Sequence, residues 1–340
     1  MNRHTKFFVT AALLVSIFLV GSASAQEILQ APENQTQDEG FPILHRINPH
    51  GADRTVKAKG FTPADVPSGR VLTQGSTGVA TPNMTYHGGP LISTPVVYLI
   101  WYGNWNQGNG ADTPAAQAVV RDFVRSIGGS PYYRLNTTAS AGGFTITGNV
   151  TFGGETTDTG SQGTSLTDAR VLTIVTSAIS SGRLPFNSSG VYFVLTSSNV
   201  SETSGFCSQY CGWHTAANTS VGHVRYSFVG NAARCLNACS AQTTSPNGIA
   251  GADAMVSIVA HELEEANTDP DLNAWFDSNG AENADKCAWT FGHFQFQTSN
   301  GSFANMTLTS PSGTTRNYLV QRNIRITSTG NFCMMDSTHN

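Results

Sequence analysis

The sequence predicts a mixed α/β domain stapled by disulfides, and three observations carry that reading. Two uninterrupted apolar runs, residues 96–101 (VVYLIW) and 190–196 (GVYFVLT), have the form of central strands covered on both faces. Other segments repeat their apolar residues every three or four positions, the period of a helix packed on one side. Six cysteines, Cys207, Cys211, Cys235, Cys239, Cys287 and Cys333, make the even count of an oxidised, exported chain.

Taken in order, residues 1–25 read as an export signal. Arg3 and Lys6 form its basic start, residues 7–20 its apolar core and Ala23-Ser24-Ala25 a small-residue cleavage site. The apolar core is too short for a transmembrane helix, so no membrane association is expected once it is removed. Its loss takes away two positive charges and moves the formal charge from −4 to −6. Residues 26–82 are polar and rich in Pro, Gly, Thr and Gln, the composition of a disordered leader or pro-segment. The folded domain is then residues 83–340, opening near the YHGGP of residues 86–90.

After the strand at 96–101, residues 113–127 read as a helix with Val119, Val120, Phe123 and Val124 inward and a Gly-Gly stop. Residues 144–152 alternate as a strand. Residues 166–179 form a second helix, with Ser165 its N-cap and Gly182 its end. The strand at 190–196 is followed by the first cysteines, with Trp213 and His214, and by a strand at 223–229. Short strands are expected at 294–298, 306–309, 318–321 and 324–326.

Residues 255–270 (MVSIVAHELEEANTDP) carry the chemistry. On a helix, Met255, Val256, Val259, Leu263 and Ala266 share one face, while His261 and Glu265 stand one turn apart on the other. Pro270 ends the helix. An imidazole and a carboxylate so placed can hold a divalent metal, with Glu262 beside them as general base. The pattern is that of a zincin-like helix with HExxE in place of HExxH. The plainer alternative is that Glu262, Glu264 and Glu265 line a solvated face.

A metal needs a third protein ligand. Glu282, 21 residues past His261, has gluzincin-like spacing and is preferred to Asp271 and Asp269; Asp277 and Asp285 are expected beside the ligands, orienting them. The expected metal set is therefore His261, Glu265 and Glu282 with Asp285, and the catalytic pair Glu262 and His214. Zinc is the first choice of cofactor, with manganese or calcium suited to so many carboxylates. His87 is a weaker candidate. The C-x₃-C pairs at 207/211 and 235/239 suggest two stapled segments, and Cys287 with Cys333 a tie from the chain end to the loop after the key helix.

Only 12% of residues are charged, and no Lys/Arg cluster occurs, which argues against a nucleic-acid partner. No G-x-S-x-G elbow and no G-x-x-x-x-G-K-[ST] loop is present. The stretches at 86–90 (YHGGP), 97–105 (VYLIWYGNW), 163–166 (GTSL), 190–200 (GVYFVLTSSNV), 206–214 (FCSQYCGWH) and 251–276, with its HELEE and NAWF, resemble the phosphate-induced protein family, the EXORDIUM-like proteins of plants and their microbial relatives. The resemblance implies an extracellular or cell-wall protein linked to growth and nutrient responses. It also implies site roles for His261, Glu262, Glu265 and Asp285 and none for Asp271.

The functional expectation is a secreted zincin-like metallohydrolase, a peptidase using a metal-bound water, with a peptide or cell-wall polymer as the expected substrate. Its rival is a non-catalytic glycan-binding protein that stacks sugars on Trp101, Trp105, Trp213, Trp275 and Trp289. Nine N-x-[ST] sequons, among them Asn136, Asn187 and Asn305, fit a secreted glycoprotein.

Overall fold

A computed structural model describes residues 82–339; the expected signal, and the expected leader but for Pro82, lie outside them. Strand β1 (Val96–Tyr102) has all but its first residue buried, as its apolar run requires. Helix α1 (Pro114–Ser126) starts where Thr113 Oγ1 accepts from Ala116 N–H at 3.1 Å and where Pro114 has no amide hydrogen to leave unpaired. It is followed by β2 (Thr151–Asp158), α2 (Asp168–Ser180) and β3 (Gly190–Thr196). Strands β4 (Gly212–Thr219) and β5 (Gly222–Val229) form an antiparallel hairpin.

These strands make one five-stranded sheet in the order β2-β1-β3-β5-β4. All neighbours are parallel except β4, which lies antiparallel on the outer edge. The chain moves one way from β1 to β2 and back the other way to β3. Right-handed crossovers therefore put α1 and α2 on opposite faces. Helix α3 (Ala250–Thr268) packs beside α1 and against β4 and β5. Among the short strands that follow, β6 (Met306–Thr309) pairs with β7 (Thr315–Tyr318), and β8 (Asn323–Thr327) with β9 (Gly330–Met334).

Three disulfides staple the domain. Cys207–Cys235 and Cys211–Cys239 fasten the approach to β4 onto a short helical turn ahead of α3. Cys287–Cys333 ties the loop after α3 to β9. No helix among the described residues is long and apolar enough to cross a membrane.

Three expectations need correcting, the first being the strand expected at 318–321, which runs Thr315–Tyr318. The strand expected at 144–152 begins only at Thr151 and runs to Asp158. Gly142, Gly143 and Gly148 all take positive φ, so the alternation of Phe144, Ile146 and Val150 belongs to a turning loop. Helix α2 is capped by Thr167, whose side chain accepts from Arg170 N–H, rather than by Ser165. Strands β4 and β9 carry no apolar run long enough to announce them.

Four of the five tryptophans are core residues. Trp101, Trp105, Trp213 and Trp289 are buried, and Trp275 is partly so. Their faces are spent on packing rather than offered to sugars. Asn136 is buried too, and Asn305 donates from Nδ2 to the carbonyls of Phe291 and Val320. Folded, neither asparagine presents a free amide for modification.

Candidate metal centre

Every residue of α3 after Ala250 is buried, its acidic run included. Met255, Val256, Val259 and Leu263 anchor it in the core, each contributing roughly 1.5–3 kcal/mol by leaving water. Glu262, Glu264 and Glu265 are wholly inaccessible, so they do not form a solvated face. An ionised carboxylate without partners costs several kcal/mol in such surroundings. The helix therefore carries charge that something nearby must balance.

Two imidazoles approach these acids. His261 Nε2 lies 2.9 Å from Glu265 Oε1 and 3.5 Å from Asp285 Oδ1. Its other ring nitrogen, Nδ1, is 2.8 Å from the Gln321 side-chain amide, which also reaches the Ala284 carbonyl at 3.3 Å. Backbone N–H of Asp285 donates to Glu265 Oε1 at 3.3 Å, so the loop after α3 holds that oxygen in place.

His214 enters from edge strand β4. Its Nδ1 faces Glu262 Oε2 at 3.5 Å and Glu265 Oε2 at 3.4 Å, without hydrogen-bond alignment to either. Its Nε2 lies 3.3 Å from the Asp269 carbonyl and 3.7 Å from Glu282 Oε1. A carbonyl oxygen only accepts, so Nε2 carries the proton there. In the neutral ring Nδ1 then presents a lone pair to two carboxylate oxygens.

Strand and helix meet closely because residue 212 is glycine. A Cβ there would stand 2.6 Å from Ile258 Cγ2, 3.0 Å from the Phe228 carbonyl and 3.1 Å from Glu262 Oε1. The absence of that one carbon lets β4 bring His214 against α3.

Ionisation follows from this crowding. Burial alone would hold His214 neutral, but the charges of Glu282, Glu262 and Glu265 raise its pKa well above the ordinary value. Burial opposes charge on His261 as well, and Glu265 and Asp285 reverse that effect. Burial pushes Glu262, Glu264 and Glu282 upward, while His261 and His214 hold Glu265 below its usual range despite burial. Asp269, buried beside them, rises to about 7.

The donor set fits a divalent cation. Both oxygens of Glu262 and of Glu282, together with Glu265 Oε2 and His214 Nδ1, are buried without hydrogen-bond partners. Two groups of ligand atoms converge to within 4.8 Å of one another: His261, Glu265 and Asp285, and His214, Glu262 and Glu265. Lys286, the nearest lysine in sequence, is committed to Asp277.

The expected residues are thus brought together with their partners rearranged. Asp285, not Glu282, reaches His261, and Glu282 faces His214 instead. Asp271 is held by Arg225 and His223, and Asp269 accepts the backbone N–H groups of Asn273 and Ala274. His87 is exposed and stacks on Phe276. Gln321 was not foreseen, since a lone glutamine 60 residues from its histidine has no local signature.

Comparison with known proteins adds a family. Residues 84–322 match the phosphate-induced protein 1 conserved region. The chain is 32% identical over 280 residues to protein EXORDIUM-like 3 of Arabidopsis thaliana, spanning 70% of this chain and 79% of that one. It is 30% identical over 224 residues to protein EXORDIUM-like 5 of the same plant, spanning 57% and 60%. No solved structure matches.

Proposed function

Because this chain belongs to the phosphate-induced protein 1 family, we propose that it is an exported, divalent-metal-dependent hydrolase acting on peptide or cell-wall polymer, with a zincin-like use of its HExxE helix. One observation carries the reading: buried carboxylate oxygens of Glu262, Glu265 and Glu282 without hydrogen-bond partners converge on two imidazoles. Three disulfides support export.

His261, Glu265 and Asp285 would hold the cation, and Gln321, whose Nε2 lies 2.8 Å from His261 Nδ1, would fix the orientation of the His261 ring. Zinc suits this set, and two carboxylates to one imidazole also suit manganese. When bound, the cation supplies Lewis acidity toward a scissile carbonyl or acetal oxygen. Glu262 takes the proton of the attacking water and returns it to the leaving group. Its pKa is raised by burial, the direction that suits a group which must both accept and release a proton. Protonated His214 spans Glu262 and Glu265 and keeps both carboxylates in position.

Burial of His261, Glu262 and Glu265 favours a second reading, a closed structural cation, since structural sites leave no open ligand position. Elemental analysis of the secreted protein, paired with cleavage assays on peptide and cell-wall substrates, separates the two. Hydrolase function requires bound metal, its loss in His261→Ala, and turnover that Glu262→Gln lowers by about 10²-fold or more. Bound metal without turnover of either substrate leaves the structural reading. A metal-free protein removes both.

A further inference from the structure

We propose that the centre takes two divalent cations, with Glu265 bridging them. The proposal rests on the cation reading above and changes two assignments in it: Glu262, and His214 in its neutral form, become ligands of the second ion. Glu265 aims its two oxygens at different imidazoles: Oε1 lies 2.9 Å from His261 Nε2, and Oε2 lies 3.4 Å from His214 Nδ1. Each imidazole has a further acid of its own, Asp285 for His261 and Glu262 for His214, both at 3.5 Å. The helix turn thus supports two separate triads that share one residue.

The second triad is composed of ligand atoms alone. His214 Nε2 faces a carbonyl oxygen and the Glu282 carboxylate, acceptors both, so the proton of a neutral ring belongs on Nε2. Nδ1, Glu262 Oε2 and Glu265 Oε2 are then three lone-pair donors converging with no hydrogen between them, all buried and none otherwise partnered. A carboxylate and a carbonyl behind a histidine are what orient an imidazole toward a metal through its other nitrogen.

Charge points the same way. Four carboxyl groups, those of Glu262, Glu265, Glu282 and Asp285, surround two imidazoles, and Lys286 is occupied by Asp277. Two divalent cations match four carboxylates, whereas one leaves two of the acids to be held in their protonated form. A carboxylate shared between metals about 3.5–4 Å apart is the usual form of a hydrolytic two-metal site, where both attacking and leaving oxygens are stabilised.

The test is stoichiometry. The secreted chain is saturated with manganese, freed of excess ion by gel filtration, and measured by elemental analysis and by electron paramagnetic resonance. Two ions per chain with an exchange-coupled spectrum are expected for the wild type. One ion with an isolated six-line spectrum is expected for His214→Ala and for the shape-conserving Glu262→Gln, each checked for folding by circular dichroism. One ion in the wild type, or two retained in Glu262→Gln, overturns the second site and leaves the single-metal reading standing. No ion in the wild type overturns both.

Discussion

The loop that carries Asp285 is anchored two residues later by Cys287, whose partner Cys333 lies in β9. Replacing both cysteines by alanine should therefore do two separable things. The sequence separation is 46. In the chain-entropy treatment, closing such a loop lowers the entropy of the unfolded chain by about 13.5 cal/mol/K, or about 4 kcal/mol at 25 °C. For a domain of this size each kcal/mol moves Tm by about 2–4 °C, so calorimetry should register a fall of about 8–16 °C. The same sum for Cys207–Cys235, with a separation of 28, gives about 3.6 kcal/mol. The two double variants should be almost equally destabilised. They should differ in cation binding: only loss of Cys287–Cys333 releases the segment that places Asp285 and the N–H on Glu265 Oε1, weakening affinity by about 10-fold or more. Calorimetric titration of both variants below their Tm measures this. Equal cation affinity in both, with the expected loss of Tm, would refute the idea that this disulfide serves the centre.

Gln321→Leu removes the amide that holds His261 Nδ1 and should weaken cation binding about 10- to 100-fold with the circular dichroism spectrum unchanged; unaltered binding would mean that the ring needs no such partner. Glu262→Gln should lower turnover under saturating metal by about 10²-fold or more, and wild-type rates in that variant would exclude Glu262 from the reaction. Without metal, both histidines and Asp269, Glu262, Glu264 and Glu282 have folded pKa values above their ordinary ones, while Glu265 alone is lowered. The folded centre then binds more protons than the unfolded chain, so its stability is present at low pH and drains away as pH rises through about 7, the value for Asp269. Thermal melts in chelator should fall from pH 5 to 8, whereas a rise over that range would contradict the pKa directions. Metal binding should release protons and tighten with pH over the same interval, which titrations in buffers of different ionisation enthalpy can count.

The parallel core was readable because its strands are apolar without a break: residues 96–101 and 190–196 can lie only where both faces are covered. Helices α1 and α2 showed themselves by period and by their glycine ends. Strand β2 did not, because TFGGETTD is an edge strand with one solvated side. Strand β4 hid for a related reason, since GWHTAANT owes its burial to the helix above it. The donors on α3 were legible from three- and four-residue spacing alone. Which distant acid joins which imidazole was not, because Glu282 and Asp285 sit three residues apart on one loop and only its folding sends one toward His214 and the other toward His261. Nor did periodicity foretell that the helix is buried all round, since its polar side is covered by segments far away in sequence.

The bare backbone at Gly212 has a practical bearing on redesign. Because that position measures the gap between scaffold and reactive groups, any bulk placed there perturbs core packing and chemistry together, and a selection could not improve one without harming the other. Asp285 and Gln321 arrive on loops outside the sheet and can be exchanged while the platform stays intact. A mutational library aimed at new substrates or metals should diversify those two and leave residue 212 untouched.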